Sequence, residues 1–118
     1  MTVLKRRVTK PTMNEVRKIV SILQRSNPRR IILFGSLARG ITRSDSDIDL
    51  CVLVDSYGGR PSVRTKQEMY RLLAAQHYDF PVDIDVRVYE LAEYQDKLAR
   101  GDPFIGDIAA GKVLYERG

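Results

Sequence analysis

Two short apolar runs constrain this chain most: Ile31–Phe34, bounded by Arg30 and Gly35, and Ile48–Val54. Both read as buried strands. Around them the pattern turns helical. Thr12 and Glu15 form a Thr-x-x-Glu capping box, followed by a stripe of Val16, Ile19, Val20 and Leu23 at helical spacing, with Pro28 as the expected stop. After a loop containing Gly58 and Gly59, Pro61 opens a second expected helix that runs to about His77, with Met69, Leu72 and Leu73 facing inward. Val82–Val88 alternates apolar and polar residues and predicts a third strand. A helix is expected from Tyr89 to Ala99, and another with Asp102 as N-cap and Pro103 in the first helical position, ended by Gly111. "KVLYE" then reads as a short closing strand. Helices alternating with short apolar strands predict an α/β domain of two or three layers.

A length of 118 residues suits one domain, 1–118, with residues 1–10 as a basic N-terminal segment. No apolar run approaches the roughly 20 residues of a membrane span. No apolar stretch follows the basic start, so it does not read as a secretory signal, and a cytoplasmic location is expected. The single cysteine, Cys51, excludes an internal disulfide and a cysteine-cluster metal site. The net charge of +5 is uneven: residues 1–30 hold nine Lys/Arg and one acid, Glu15. Such a basic end suits an anionic partner, whether nucleic acid, a nucleotide or an acidic protein face, and equally suits a solvated helix face with a basic tail.

The stretch "LFGSLARGITRSDSDIDL" carries the chemistry. Gly35 and Ser36 end a strand and open a short helical turn. Gly35 lets a ligand approach the backbone closely, Ser36 can cap the turn and donate its hydroxyl, and the unpaired N–H groups there suit phosphate. Arg39, one turn on, can neutralise phosphate charge. Asp47 and Asp49 lie two apart, hence on one face of a strand with Cys51, while Ile48, Leu50, Val52 and Val54 take the other. Adjacent carboxylates repel unless a cation relieves them, and Mg²⁺ favours one or two carboxylates together with substrate phosphates. Asp45 is the outermost acid and reads as solvated. In "FPVDIDVRV", Asp83 and Asp85 again share a face; if that strand lies beside Ile48–Val54, one of them can complete a three-carboxylate cluster for two metal ions.

Gly-Ser, ten residues, then Asp-Ile-Asp, with a later strand aspartate, resembles the signature of the polymerase-beta-type nucleotidyltransferase superfamily, and within it the minimal nucleotidyltransferases. The resemblance extends over roughly residues 12–116, including "PVDIDVRV" and "DPFIGDIAAGKVLYE". It implies a small mixed sheet with helices packed mainly on one face. It implies that Gly35 and Ser36 hold the triphosphate, that Asp47 and Asp49 bind two Mg²⁺ ions (or Mn²⁺), and that Asp83, with Asp85 as the alternative, supplies the third carboxylate. The implied reaction is transfer of AMP from ATP to a hydroxyl of a partner macromolecule. The implied partner is a HEPN-type RNase toxin, for which such proteins serve as antitoxins. The lone His77 reads as structural or exposed, and Cys51 as core packing.

Two other expectations differ in class. One is a non-catalytic antitoxin that keeps the fold and binds by surface complementarity. The other is a small nucleic-acid binder using residues 1–30, although the chain lacks the interleaved aromatics of a single-strand stacking surface.

Overall fold

The computed structural model describes residues 11–41, 47–55, 66–75 and 83–117. The 1–10 segment, Asp45, the Gly58–Gly59–Pro61 loop and His77 lie outside the described residues. Helix α1 spans Met13–Leu23, and the Thr12 hydroxyl accepts the Glu15 N–H at 3.2 Å. Its stripe of Val16, Ile19, Val20 and Leu23 is buried. Pro28 is not what stops it. The helix tightens into a 3-10 turn over Gln24–Ser26, the Ser26 hydroxyl donates to the Leu23 carbonyl at 2.8 Å, and Asn27 turns left-handed with φ 58°. Asparagine tolerates that conformation, so the reversal occurs one residue before the proline.

Strand β1 (Arg30–Phe34) leads into a four-residue helical turn, α2 (Gly35–Ala38). Strand β2 (Ile48–Val54), helix α3 (Lys66–Ala75), strand β3 (Ile84–Glu90), helices α4 (Leu91–Ala99) and α5 (Pro103–Ala109) and strand β4 (Lys112–Glu116) follow. Asp102 caps α5 as its sequence position predicts, accepting the N–H groups of Phe104 and Ile105, each at 3.0 Å. The expected start of β3 at Val82 lies outside the described residues, and the strand ends two residues later than the alternation suggests, because its polar end runs directly into α4 without a turn signal.

The sheet is mixed, in the order β3-β2-β1-β4. Strand β1 runs antiparallel to both β2 and β4, and β2 runs parallel to β3. The expected class therefore holds, with one correction. Helices cover both faces rather than mainly one. Ile31, Leu33, Ile48, Leu50, Val52 and Val54 pack with α1 and α3, whereas Ile32, Phe34, Cys51 and Leu53 pack with Tyr94 of α4 and Ile105 and Ile108 of α5. A central strand that is apolar at nearly every position has two faces to bury, and one helical layer cannot cover both. Between β1 and β4 the register slips: Ile31 faces Tyr115 but Ile32 faces Val113, leaving Leu114 as an extra residue. Among the described residues, no helix is long and apolar enough to cross a membrane.

The α5–β4 corner presses on β1 at Gly111, where a Cβ would overlap the Leu33 carbonyl oxygen. Backbone cannot yield as a side-chain tip can. Gly111→Ala should therefore cost about 1–3 kcal/mol of stability in urea unfolding, with an unchanged m-value.

Candidate active site

The sheet's hydrogen bonding sets the site. In the antiparallel pair, Phe34 faces Asp49, so Gly35 emerges from the end of β1 beside the start of β2. Gly35 has φ 79°, a left-handed conformation that side chains disfavour, and a Cβ there would overlap the Asp49 carboxylate. The glycine is therefore required twice, by its backbone angle and by the carboxylate lying against it. Ser36 follows inside α2. The N-cap is Phe34, with no side-chain cap, so the serine hydroxyl does not serve the capping role that its sequence position suggests. Its carbonyl accepts the N–H groups of Arg39 and Ile41, at 3.0 and 2.9 Å, which folds the turn back after α2.

The parallel register places Asp85 opposite Asp49, and the Ile48 N–H donates to the Asp83 carbonyl at 2.9 Å. Asp83 thus lies level with Asp47 at the mouth of the two strands, and Asp49 and Asp85 one step inward. Alternation puts all four on the α4–α5 side of the sheet. Asp47 and Asp83 are exposed, while Asp49 and Asp85 are half-buried. Burial first, then the negative charges of Asp85 and Asp47, hold the Asp49 carboxyl up at about 6. Arg87 and Arg39 pull it down without cancelling this.

Arg87 is a member of the site that the sequence reading passed over. Its Nε lies 3.2 Å from Asp85 Oδ2, and its guanidinium sits 5.2 Å from the centroid of the Phe104 ring. Phe104 in turn meets Phe34 edge to face at 5.8 Å. The signal was present in "DIDVRV", where Arg87 continues the same-face spacing of Asp83 and Asp85. Arg39 is exposed and reaches Asp107 of α5 at 3.9 Å, a long contact between exposed groups that holds it weakly and leaves it free to meet an anion. Cys51 is wholly buried, and burial pushes its thiol up to about 12, which suits packing and not nucleophilic attack.

Among the described residues, no three carboxylate, histidine or cysteine side chains converge tightly enough to enclose a metal ion by themselves. Asp85 leans on Arg87 instead. The donor set still fits Mg²⁺. It is all oxygen and already crowded with negative charge, and Mg²⁺ commonly takes one or two carboxylates and completes its shell with water and substrate phosphates.

That crowding has a cost in the metal-free chain. The fold prefers Asp49 protonated, so its contribution to stability is lost as pH rises from the ordinary carboxylate range, about 4, through about 6. Asp49→Asn removes the penalty. Without metal at pH 7, the variant should melt on the order of 5 °C above the parent, and the two should converge below about pH 4. Added Mg²⁺ should raise the melting temperature of the parent and leave the variant unmoved. Thermal melts across this pH range, with and without Mg²⁺, check both.

The family described as "Polymerase beta, Nucleotidyltransferase" matches residues 17–117. A protein of Methanocaldococcus jannaschii named "Putative protein adenylyltransferase" is 33% identical over 72 residues, covering 61% of this chain and 68% of the relative. No solved structure matches the chain significantly. A glycine-bounded carboxylate, a second aspartate two residues away and further acids on the parallel neighbouring strand stand within that match, and the chain belongs to the polymerase-beta nucleotidyltransferase family.

Proposed function

We propose that this protein transfers AMP from ATP to a hydroxyl of a partner protein, in a reaction that depends on Mg²⁺. The observation that carries this reading is the Asp49 carboxylate. It is packed against Gly35 and crowded by the charges of Asp85 and Asp47, and a nucleotide-bound cation would relieve it. Support for adenylyl as the transferred group, and for protein as the acceptor, comes from the name of the Methanocaldococcus relative. The resemblance to minimal nucleotidyltransferases makes a HEPN-type toxin the candidate acceptor.

In this reading Asp47 and Asp49 hold two Mg²⁺ ions, with Mn²⁺ as a substitute, and the third carboxylate comes from β3. Register favours Asp85, which faces Asp49; the motif favours Asp83, which lies level with Asp47. Gly35 and Ser36 receive the triphosphate beside the Asp49 carboxylate, and Arg39 offsets its charge. Bound Mg²⁺ would supply positive charge at the attacking and leaving oxygens. The acceptor oxygen bonds to the α-phosphorus, and the bond from that phosphorus to the oxygen bridging to the β-phosphate breaks. Pyrophosphate departs with the electron pair. The hydroxyl proton passes to the β3 carboxylate and then to water, so no histidine is required.

Titration of Mg²⁺–ATP should show binding by the wild type that Asp47→Asn/Asp49→Asn loses. With the candidate toxin present, the double variant should also fail to add an adenylyl group, about 329 Da, to an acceptor hydroxyl. A folded double variant that neutralises the toxin as well as the wild type does would replace this reading with that of a non-catalytic binding module. Asp83→Asn and Asp85→Asn, assayed separately, should divide unequally: the residue holding the third position should cost roughly a hundredfold in transfer and the other far less.

A further inference from the structure

The outer edge of β3 is closed by a side chain. Because Asp83 directs its carbonyl to β2, the next residues alternate, and the backbone groups of Ile84 and Val86 point away from the sheet. Strand β3 lies at the edge of the sheet, and no further strand among the described residues takes them up. The Tyr70 hydroxyl, reaching from α3, does so. It donates to the Ile84 carbonyl at 2.8 Å and accepts the Val86 N–H at 3.1 Å. One oxygen thus stands in for a missing strand at the two residues that flank Asp85.

We propose that Tyr70 is a positioning residue for the β3 carboxylate, holding the Ile84–Val86 segment so that Asp85 stays level with Asp49. The inference rests on the nucleotidyl-transfer reading of the same site and adds a residue to it from outside the signature. Three features of the geometry carry it. Both hydrogen bonds go to backbone, so they fix the strand and not a rotamer. They bracket Asp85 and no other acid of the site. Their source, α3, is anchored by the wholly buried Met69 and Leu73 on the far side of the sheet from the carboxylates, so the tie is independent of whatever binds there. The segment needs such a tie. It carries Asp85 level with Asp49, and any outward shift of this edge segment would move the two carboxylates out of step. Simple edge protection accounts for a hydroxyl at an open strand, but it assigns no effect on metal binding.

Tyr70→Phe removes one oxygen and keeps the ring. Mn²⁺ binding, followed by its electron paramagnetic resonance signal with and without a non-hydrolysable ATP analogue, should weaken roughly tenfold in the variant. The midpoint for Mg²⁺ in the transfer assay should rise by a similar factor, with the KM for ATP at saturating Mg²⁺ little changed. A second measurement needs no variant. Coupling is reciprocal, so the Val86 amide of the wild type should exchange with solvent more slowly once Mg²⁺ and nucleotide are bound. Equal Mn²⁺ affinity in Tyr70→Phe and wild type, or Val86 exchange unaffected by binding, would overturn the role of Tyr70 and leave the transferase reading standing. Absence of Mn²⁺ and nucleotide binding in the wild type would remove that reading and this inference with it.

Discussion

The parallel register of β2 and β3 puts Asp49 and Asp85 side by side, and much of the molecule accommodates that pairing. Two carboxylates at adjacent register positions, half shielded from water, would drive a bare pair of strands apart. They are held by the strands' own hydrogen bonds, by apolar packing of Leu50, Val52 and Val86 beneath, and by Arg87 beside Asp85. The fold thus supplies stability in the deep part of the sheet and concentrates unfavourable charge at one end of it. That division suits the cation site proposed above, since unfavourable charge persists only where the surrounding fold holds it in place.

Gly35 links the two halves of this arrangement. The hairpin-like return from β1 to β2 brings the end of one strand against the beginning of the other, and the glycine is the point at which no atom can be added. Its positive φ turns the chain into α2, and its missing side chain leaves the space that the Asp49 carboxylate occupies. Phe34, one residue earlier, anchors the corner from the other direction by meeting Phe104, which in turn carries Arg87. The Gly35 turn, the carboxylates and Arg87 therefore share one corner.

Much of this was legible in the chain, and what was not has physical reasons. The α1 stripe, the alternation that separates Asp49 from Leu50 and the Asp102–Pro103 start were readable because each rests on local geometry. The coverage of both sheet faces was latent in "DLCVLV", an apolar run too continuous for a half-exposed strand. Which β3 acid stands opposite Asp49 was not readable. Alternation assigns Asp83 and Asp85 to one face but is silent on register, which depends on how far β3 slides along β2. Tyr70 lay further beyond reach, since its role needs α3, β3 and the sheet edge together. The left-handed Asn27 ends the helical run one residue ahead of Pro28; it is the weaker written signal of the two, yet it acts first along the chain.

The slipped register of β4 acquires a meaning beside the capped edge of β3. An open sheet offers two rims on which a strand from another molecule can settle. Here one rim is occupied by a phenolic oxygen, and on the other Leu114 breaks the regular spacing that a visiting strand would have to match. Lateral growth is discouraged at both borders by unrelated devices. The sheet is in effect finite: neither border offers the regular open edge on which a second copy of this chain could stack alongside.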